Sequence, residues 1–139
     1  MRMEQKAIEV VIRTFEWFNA VMTNRGHVIS RKEIESRFAE DAQMIANGQL
    51  KCAGIDAHLK HFQELQKKLS SFRIRLPLEV SISTADEAAA YYKIDYVSSE
   101  GAGGIIHDSA IWKIRDGKFA LMVETVSFEG REVALDNHS

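Results

Sequence analysis

Cysteine, proline and uncompensated charge are what this chain of 139 residues has least of. Its one cysteine, Cys52, rules out an internal disulfide and a cysteine-rich metal cluster. A chain built without disulfides suits a reducing compartment, so a cytoplasmic location is expected. The one proline, Pro77, leaves the backbone elsewhere free to form helices and ladders. Eighteen basic and 20 acidic side chains nearly cancel, with no long block of either sign, so nucleic acid is not an expected partner. Bilayer-spanning apolar runs are missing as well, and the opening MRMEQKAIEV lacks the apolar core and cleavage site of a secretory signal; no membrane partner is expected. With 45% hydrophobic and 27% charged residues, the composition is that of a globular protein. The length predicts a single domain over residues 1–139, with loose ends at 1–3 and 129–139.

What is present is periodicity. Between residues 4 and 22, Ile8, Val11, Ile12, Phe15, Phe18 and Met22 recur every three or four positions, predicting an amphipathic helix ended by Asn24, Arg25 and Gly26. Ser30 and Glu33 form a capping box at the start of a short second helix with Ile34 and Phe38 inward. AEDAQMIANGQLKCAG reads as two short strands about an Asn47-Gly48 turn. Ile55, Leu59, Phe62 and Leu69 mark a third helix, closed by Lys67 and Lys68. Beyond Phe72 the period drops to two. Ile74, Leu76, Leu78, Val80 and Ile82 predict one long strand with a buried side, and Pro77 marks an edge or a bulge within it. Ala90, Tyr92, Ile94 and Tyr96 share one face of the next strand, Glu100 to Gly104 form a glycine-rich turn, and two strands joined at Asp116-Gly117 complete the order. Helices mostly ahead of an antiparallel meander make an α+β arrangement, and a bent sheet wrapped over helices would form a cone with a deep mouth.

Three stretches taken in order carry a family likeness: Phe38-Ala39-Glu40-Asp41-Ala42 into a short strand, Gly54 before a helix, and Trp112-Lys113-Ile114-Arg115-Asp116-Gly117-Lys118-Phe119 into a final strand. Over roughly residues 5 to 128 this set resembles the nuclear-transport-factor-2-like (NTF2-like) superfamily, especially its SnoaL-like, ketosteroid-isomerase-like and limonene-epoxide-hydrolase-like branches. The resemblance implies a cone-shaped α+β fold in which three N-terminal helices pack in a strongly curved, mostly antiparallel sheet. It also implies a homodimer and an apolar cavity for a small hydrophobic ligand, with no cofactor. Fold does not by itself assign activity. Carried over residue by residue, the ketosteroid-isomerase pattern is broken: Ala46 stands where the general base belongs, and Phe15 where the oxyanion-binding tyrosine would be. Against the epoxide-hydrolase pattern, Tyr91 and Lys93 fall opposite the Arg-x-Asp pair and Met44 and Ala46 opposite the tyrosine-asparagine pair, so that only the final acid survives, as Glu124.

Asp108 and Glu124 are acids in the two arms of the last hairpin, and its register decides whether they meet. A two-residue Asp116-Gly117 loop would set Asp108 across from Thr125 and leave Glu124 on the opposite face. A three-residue loop with glycine in the bulge position would set Asp108 across from Glu124. Apolar alternation favours the first register and the family resemblance the second. Acids that meet in a dry site cannot both ionise readily, which would supply a general acid or base. Acids at a wet rim would only keep the strand edge soluble.

The candidate catalytic set is therefore Glu124, Asp108 and Tyr92, the phenol orienting a ligand. Trp17, Phe18, Phe38, Met44, Phe62, Tyr96, Trp112 and Met122 are candidates for the cavity wall, or equally for a solid core. His58 and His61 lack a third ligand at helical spacing, so no metal is expected and both read as surface residues. His107 points away from Asp108, and Asp41 reads as a turn residue after the second helix. The functional expectation is a cofactor-independent isomerase, hydrolase or cyclase acting on a hydrophobic carbonyl, epoxide or polyketide-like compound. Its rival is a non-catalytic homodimeric binding or scaffold module.

Overall fold

Three helices lie on one side of a seven-stranded, curved, mixed sheet in the computed structural model, which describes residues 6–24 and 26–130. Arg25 and the ends expected to be loose, 1–3 and 131–139, fall outside the described residues. Glu129 and Gly130, expected in the loose tail, instead belong to the last strand.

Helix α1 (Ala7–Thr23) buries Val11, Phe15, Phe18 and Met22, the stripe expected of it. Its first amides find acceptors at a strand end, Ala7 N–H to the Thr84 carbonyl at 3.0 Å and Ile8 N–H to Ser83 Oγ at 3.0 Å. Helix α2 (Arg31–Arg37) has the predicted Ser30–Glu33 capping box. Phe38 lies just past it, as the first residue of β1 (Phe38–Ala46). Asp41 is a correction: it sits in β1 and not in a turn, where its exposed carboxylate pairs with Arg115. Strand β2 (Gln49–Ala53) follows the Asn47-Gly48 turn, both residues at positive φ as that turn requires. Helix α3 (Ile55–Lys68) then returns across the sheet.

The expected long strand after Phe72 is two strands. Strand β3 (Leu69–Ile74) pairs with Ser98 to Ile94, and β4 (Val80–Ser83) pairs with Tyr91 to Ala88, both on β5 (Glu87–Ser98). Between them, five residues from Arg75 to Glu79 face only Tyr92 and Lys93, so an odd number of residues loops out and the alternation flips. Val80 and Ile82, expected inside, are consequently 61% and 71% exposed on the outer face. Pro77, preceded by a cis peptide bond, lies in this interruption.

Strands β6 (Gly103–Arg115) and β7 (Lys118–Gly130) complete an order β2-β1-β7-β6-β5-β3, antiparallel except where β1 runs parallel to β7. Gly103 and Gly104 begin β6 and are not part of a loose turn; a Cβ on Gly104 would lie 2.5 Å from the Glu129 carbonyl oxygen. The helices cover the inner face. Asn19 clamps α1 to the end of β3 through both backbone groups of Ile74, at 2.8 and 2.9 Å.

Candidate active site

The last hairpin follows neither expected register. Its turn is the two-residue Asp116-Gly117 loop, with Arg115 opposite Lys118 and Ile114 opposite Phe119. Lys113, however, lies opposite Leu121, so Ala120 is an extra residue, a β-bulge. From there Glu124 is opposite Ala110, and Asp108 opposite Val126. The two acids are diagonal neighbours on one face, close enough for their side chains to meet. The bulge also turns Met122 inward.

Behind that face lies a cavity of about 200 Å³ between α1, α3 and the inner side of the sheet. From the sheet, Tyr92, Asp108, Glu124, Met44 and Met122 reach it; from the helices and their flanks come Trp17, Phe18, Phe38 and Phe62. Trp112 and Tyr96 do not line it. Trp112 is fully buried behind, its ring 5.7 Å from Phe15 and 6.1 Å from Tyr92, and Tyr96 packs edge-on to Phe128 farther along the sheet. Tyr91 and Lys93 face the other way, toward His107 and Glu79.

Asp108 is 2% exposed. Its Oδ2 accepts the Tyr92 hydroxyl at 3.0 Å, while Oδ1 has no donor among the described residues. Glu124 stands beside Asp108 on the same face of the sheet and at the same cavity. Burial, first, and then the neighbouring Glu124 push the Asp108 carboxyl well above the ordinary carboxylate range, against an opposing pull from Tyr92. Asp108 thus holds the proton of the pair. The Tyr92 hydroxyl is pushed up too, by burial foremost and by both acids, so the phenol stays protonated and serves as a donor.

Several wall residues escaped the sequence reading. Phe15, expected on the buried stripe of the first helix and not named for the cavity wall, lines the cavity with its ring packed 5.0 Å from that of Tyr92. Thr14, one residue earlier, also lines it and is turned back to the Val10 carbonyl at 2.8 Å. His61, expected on the surface, lines the cavity, half-buried and pushed down to about 4 by desolvation and then by His58. His58, also expected outside, is 1% exposed, its Nδ1–H donating to the Gly54 carbonyl at 2.7 Å and its ring beside Phe38. The signal available was helical spacing: His58, His61, Phe62 and Leu65 share the inward side of α3. No group of three or more metal-ligating side chains occurs among the described residues. Cys52 is buried, its thiol pushed up to about 11 by burial and then by Glu124.

The arrangement of three helices against a bent sheet has counterparts among solved structures. An NTF2-like protein from Anabaena variabilis superimposes with a TM-score of 0.68 over 88% of this chain and 90% of its own, at 14% identity. The fold is NTF2-like. An LEH-like epoxide hydrolase from M. tuberculosis matches at a TM-score of 0.64 and 11% identity, covering 86% of this chain and 84% of that one. TerC, co-crystallized with polyporic acid, matches at 0.65 and 18% identity over 88% and 90%. No family model matches the sequence, and neither does any curated protein. Among the described residues, no helix is long and apolar enough to cross a membrane.

Proposed function

We propose that the cone binds a small hydrophobic molecule and moves a proton on it without a cofactor. The observation that carries this reading is a pair of neighbouring carboxyl groups, Asp108 and Glu124, at the wall of an otherwise largely apolar cavity. Asp108 delivers its proton to a basic atom of the ligand, and Glu124 withdraws one from a neighbouring carbon or from water. Glu124 then passes its proton to the neighbouring Asp108, so that the pair is restored each cycle. Tyr92 fixes the Asp108 carboxyl through Oδ2. Such a cycle serves an isomerase, a hydrolase or a cyclase, and the likeness to a fold relative named as an epoxide hydrolase supports it. Turnover screens on compact epoxides and unsaturated ketones test it. Glu124→Gln should lower turnover by roughly 10²–10⁴-fold, the usual contribution of a positioned acid or base. Unchanged turnover in a folded variant removes the mechanism.

A second reading rests on the opposite face of the sheet. Val80, Ile82 and Ile111 are 61%, 71% and 55% exposed there, and an apolar sheet face of this kind supports pairing of two copies. Light scattering tests it: a dimer that Ile111→Glu turns into a monomer supports the pairing, and a monomeric wild-type chain overturns it.

A further inference from the structure

The polar end of the cavity has a hydrogen-bonding sign. Its hydroxyl donors are already engaged, that of Tyr92 on Asp108 Oδ2 at 3.0 Å and that of Thr14 on the Val10 carbonyl at 2.8 Å. What remains is the acid pair itself: Asp108 Oδ1, fully buried and without a partner among the described residues, and the Glu124 carboxyl beside it, with the Asp108 proton to give. Among the described residues that line the cavity there is no lysine or arginine to balance these acids. His61, the one basic side chain there, is held neutral by burial. The rest of the wall is strongly aromatic, with Phe15, Phe18, Phe38, Phe62, Phe72 and Phe119 among its residues. Aromatic faces are the negative side of the ring quadrupole and attract cations.

We infer that the ligand of this cavity is a compact hydrophobic amine, bound as its ammonium ion with the nitrogen between Asp108 and Glu124. The inference rests on the proposed cavity-binding function and names the polar group that function leaves open, in place of the carbonyl or epoxide the sequence suggested. An amine that takes up the Asp108 proton on entering becomes the ammonium, leaves Asp108 as a carboxylate, donates N–H groups to Oδ1 and to Glu124, and sets its apolar body against the rings. A carboxylate or phosphate ligand would meet two acids with no counter-charge, and is excluded. The volume limits the body: an apolar cavity of about 150 Å³ accepts benzene, so about 200 Å³ admits one substituted ring and not a fused tetracycle.

Calorimetric titration of the full chain at neutral pH with benzylamine, benzyl alcohol and benzoate tests this, because the three share a ring and differ in the sign of the polar end. Charge-assisted hydrogen bonds are about twice as strong as neutral ones, so benzylamine should bind at least about tenfold tighter than benzyl alcohol. Benzoate should give no heat. Glu124→Gln, at a half-buried position where folding is readily checked by circular dichroism, should bring amine and alcohol within about threefold of one another. Equal affinity of amine and alcohol in the wild-type chain overturns the ammonium assignment and leaves the apolar cavity intact. An amine preference that survives Glu124→Gln overturns it as well, since the cation is then held elsewhere. If no probe binds and none shifts the NMR signals of the Tyr92 and Phe18 rings, the cavity reading fails together with the inference.

Discussion

Tyr91 and Tyr92 are sequence neighbours, and so are His107 and Asp108, yet the sheet divides each pair. On the outer face, the half-buried Tyr91 hydroxyl meets His107 Nδ1 at 2.8 Å, and His107 Nε2 meets Glu129. On the inner face, Tyr92 meets Asp108 at 3.0 Å and Asp108 meets Glu124, with nearly no water reaching either Tyr92 or Asp108. Both are tyrosine-centred polar chains ending in a glutamate. The inner one has an acid forced to keep its proton, because burial there penalises charge. Chemistry follows from which face a residue takes, more than from residue type.

That contrast can be broken in graded ways. The largest effect should come from the neighbours Trp112 and Ile111. Trp112→Ala empties a fully buried site packed on Phe15, Tyr92 and Phe119, and should cost about 3–5 kcal/mol by urea denaturation. Ile111→Ala, at a position 55% exposed, should stay within about 0.5 kcal/mol. Equal losses would mean the two faces are packed alike in solution. Next is Gly104→Ala, whose methyl would press on the Glu129 carbonyl and on Tyr96, with an expected loss of about 1–3 kcal/mol in the same measurement.

Smaller, and specific to the acid pair, is Tyr92→Phe. Removing this hydroxyl leaves Asp108 Oδ2 without its donor, so the loss should be about 1–2 kcal/mol, and carbon-13 titration of the Asp108 carboxyl should find its proton held to still higher pH. Tyr91→Phe should leave that titration where it is.

The most subtle test is the slope of stability with pH. The folded chain holds the Asp108 proton beyond the unfolded value of about 3.9, so this contribution is complete below about pH 4 and is lost as pH rises toward the raised folded value. Glu33 runs the other way. Burial pulls its carboxyl up, but hydrogen bonds from the Ser30 amide, Trp17, His27 and the Ser30 hydroxyl bring it down to about 2, so its contribution is present above about pH 4.3 and lost as pH falls toward 2. Urea midpoints measured across pH should show Asp108→Asn flattening the neutral-to-alkaline decline and Glu33→Gln flattening the acid limb. A neutral-to-alkaline decline unchanged in Asp108→Asn would mean Asp108 ionises normally.

Local rules carried far along this chain. The capping box at Ser30, the stripe of α1 and the Asn47-Gly48 and Asp116-Gly117 turns all form as their residue types require, because each is decided by side chains within a few positions. Where the reading went astray, the cause was an odd residue. The loop-out from Arg75 to Glu79 sent Val80 and Ile82 outside, and the extra Ala120 brought Glu124 in. A bulge leaves no mark in a pattern of apolar residues: Phe119, Leu121 and Val123 alternate as if the strand were unbroken. His58 and His61 were misjudged for a related reason, since a histidine's burial depends on the partner its ring nitrogens find, and for His58 that partner is the Gly54 carbonyl.

By itself, then, the sequence determined the element types, their order and most of the inner apolar stripe, since these follow from periods of 3.6 and 2 and from turn chemistry. Tertiary structure alone decided that Asp108 and Glu124 reach the same cavity. Their encounter depends on one unpaired residue in β7 and on helices that keep water from the pair, and neither is encoded within reach of the acids themselves.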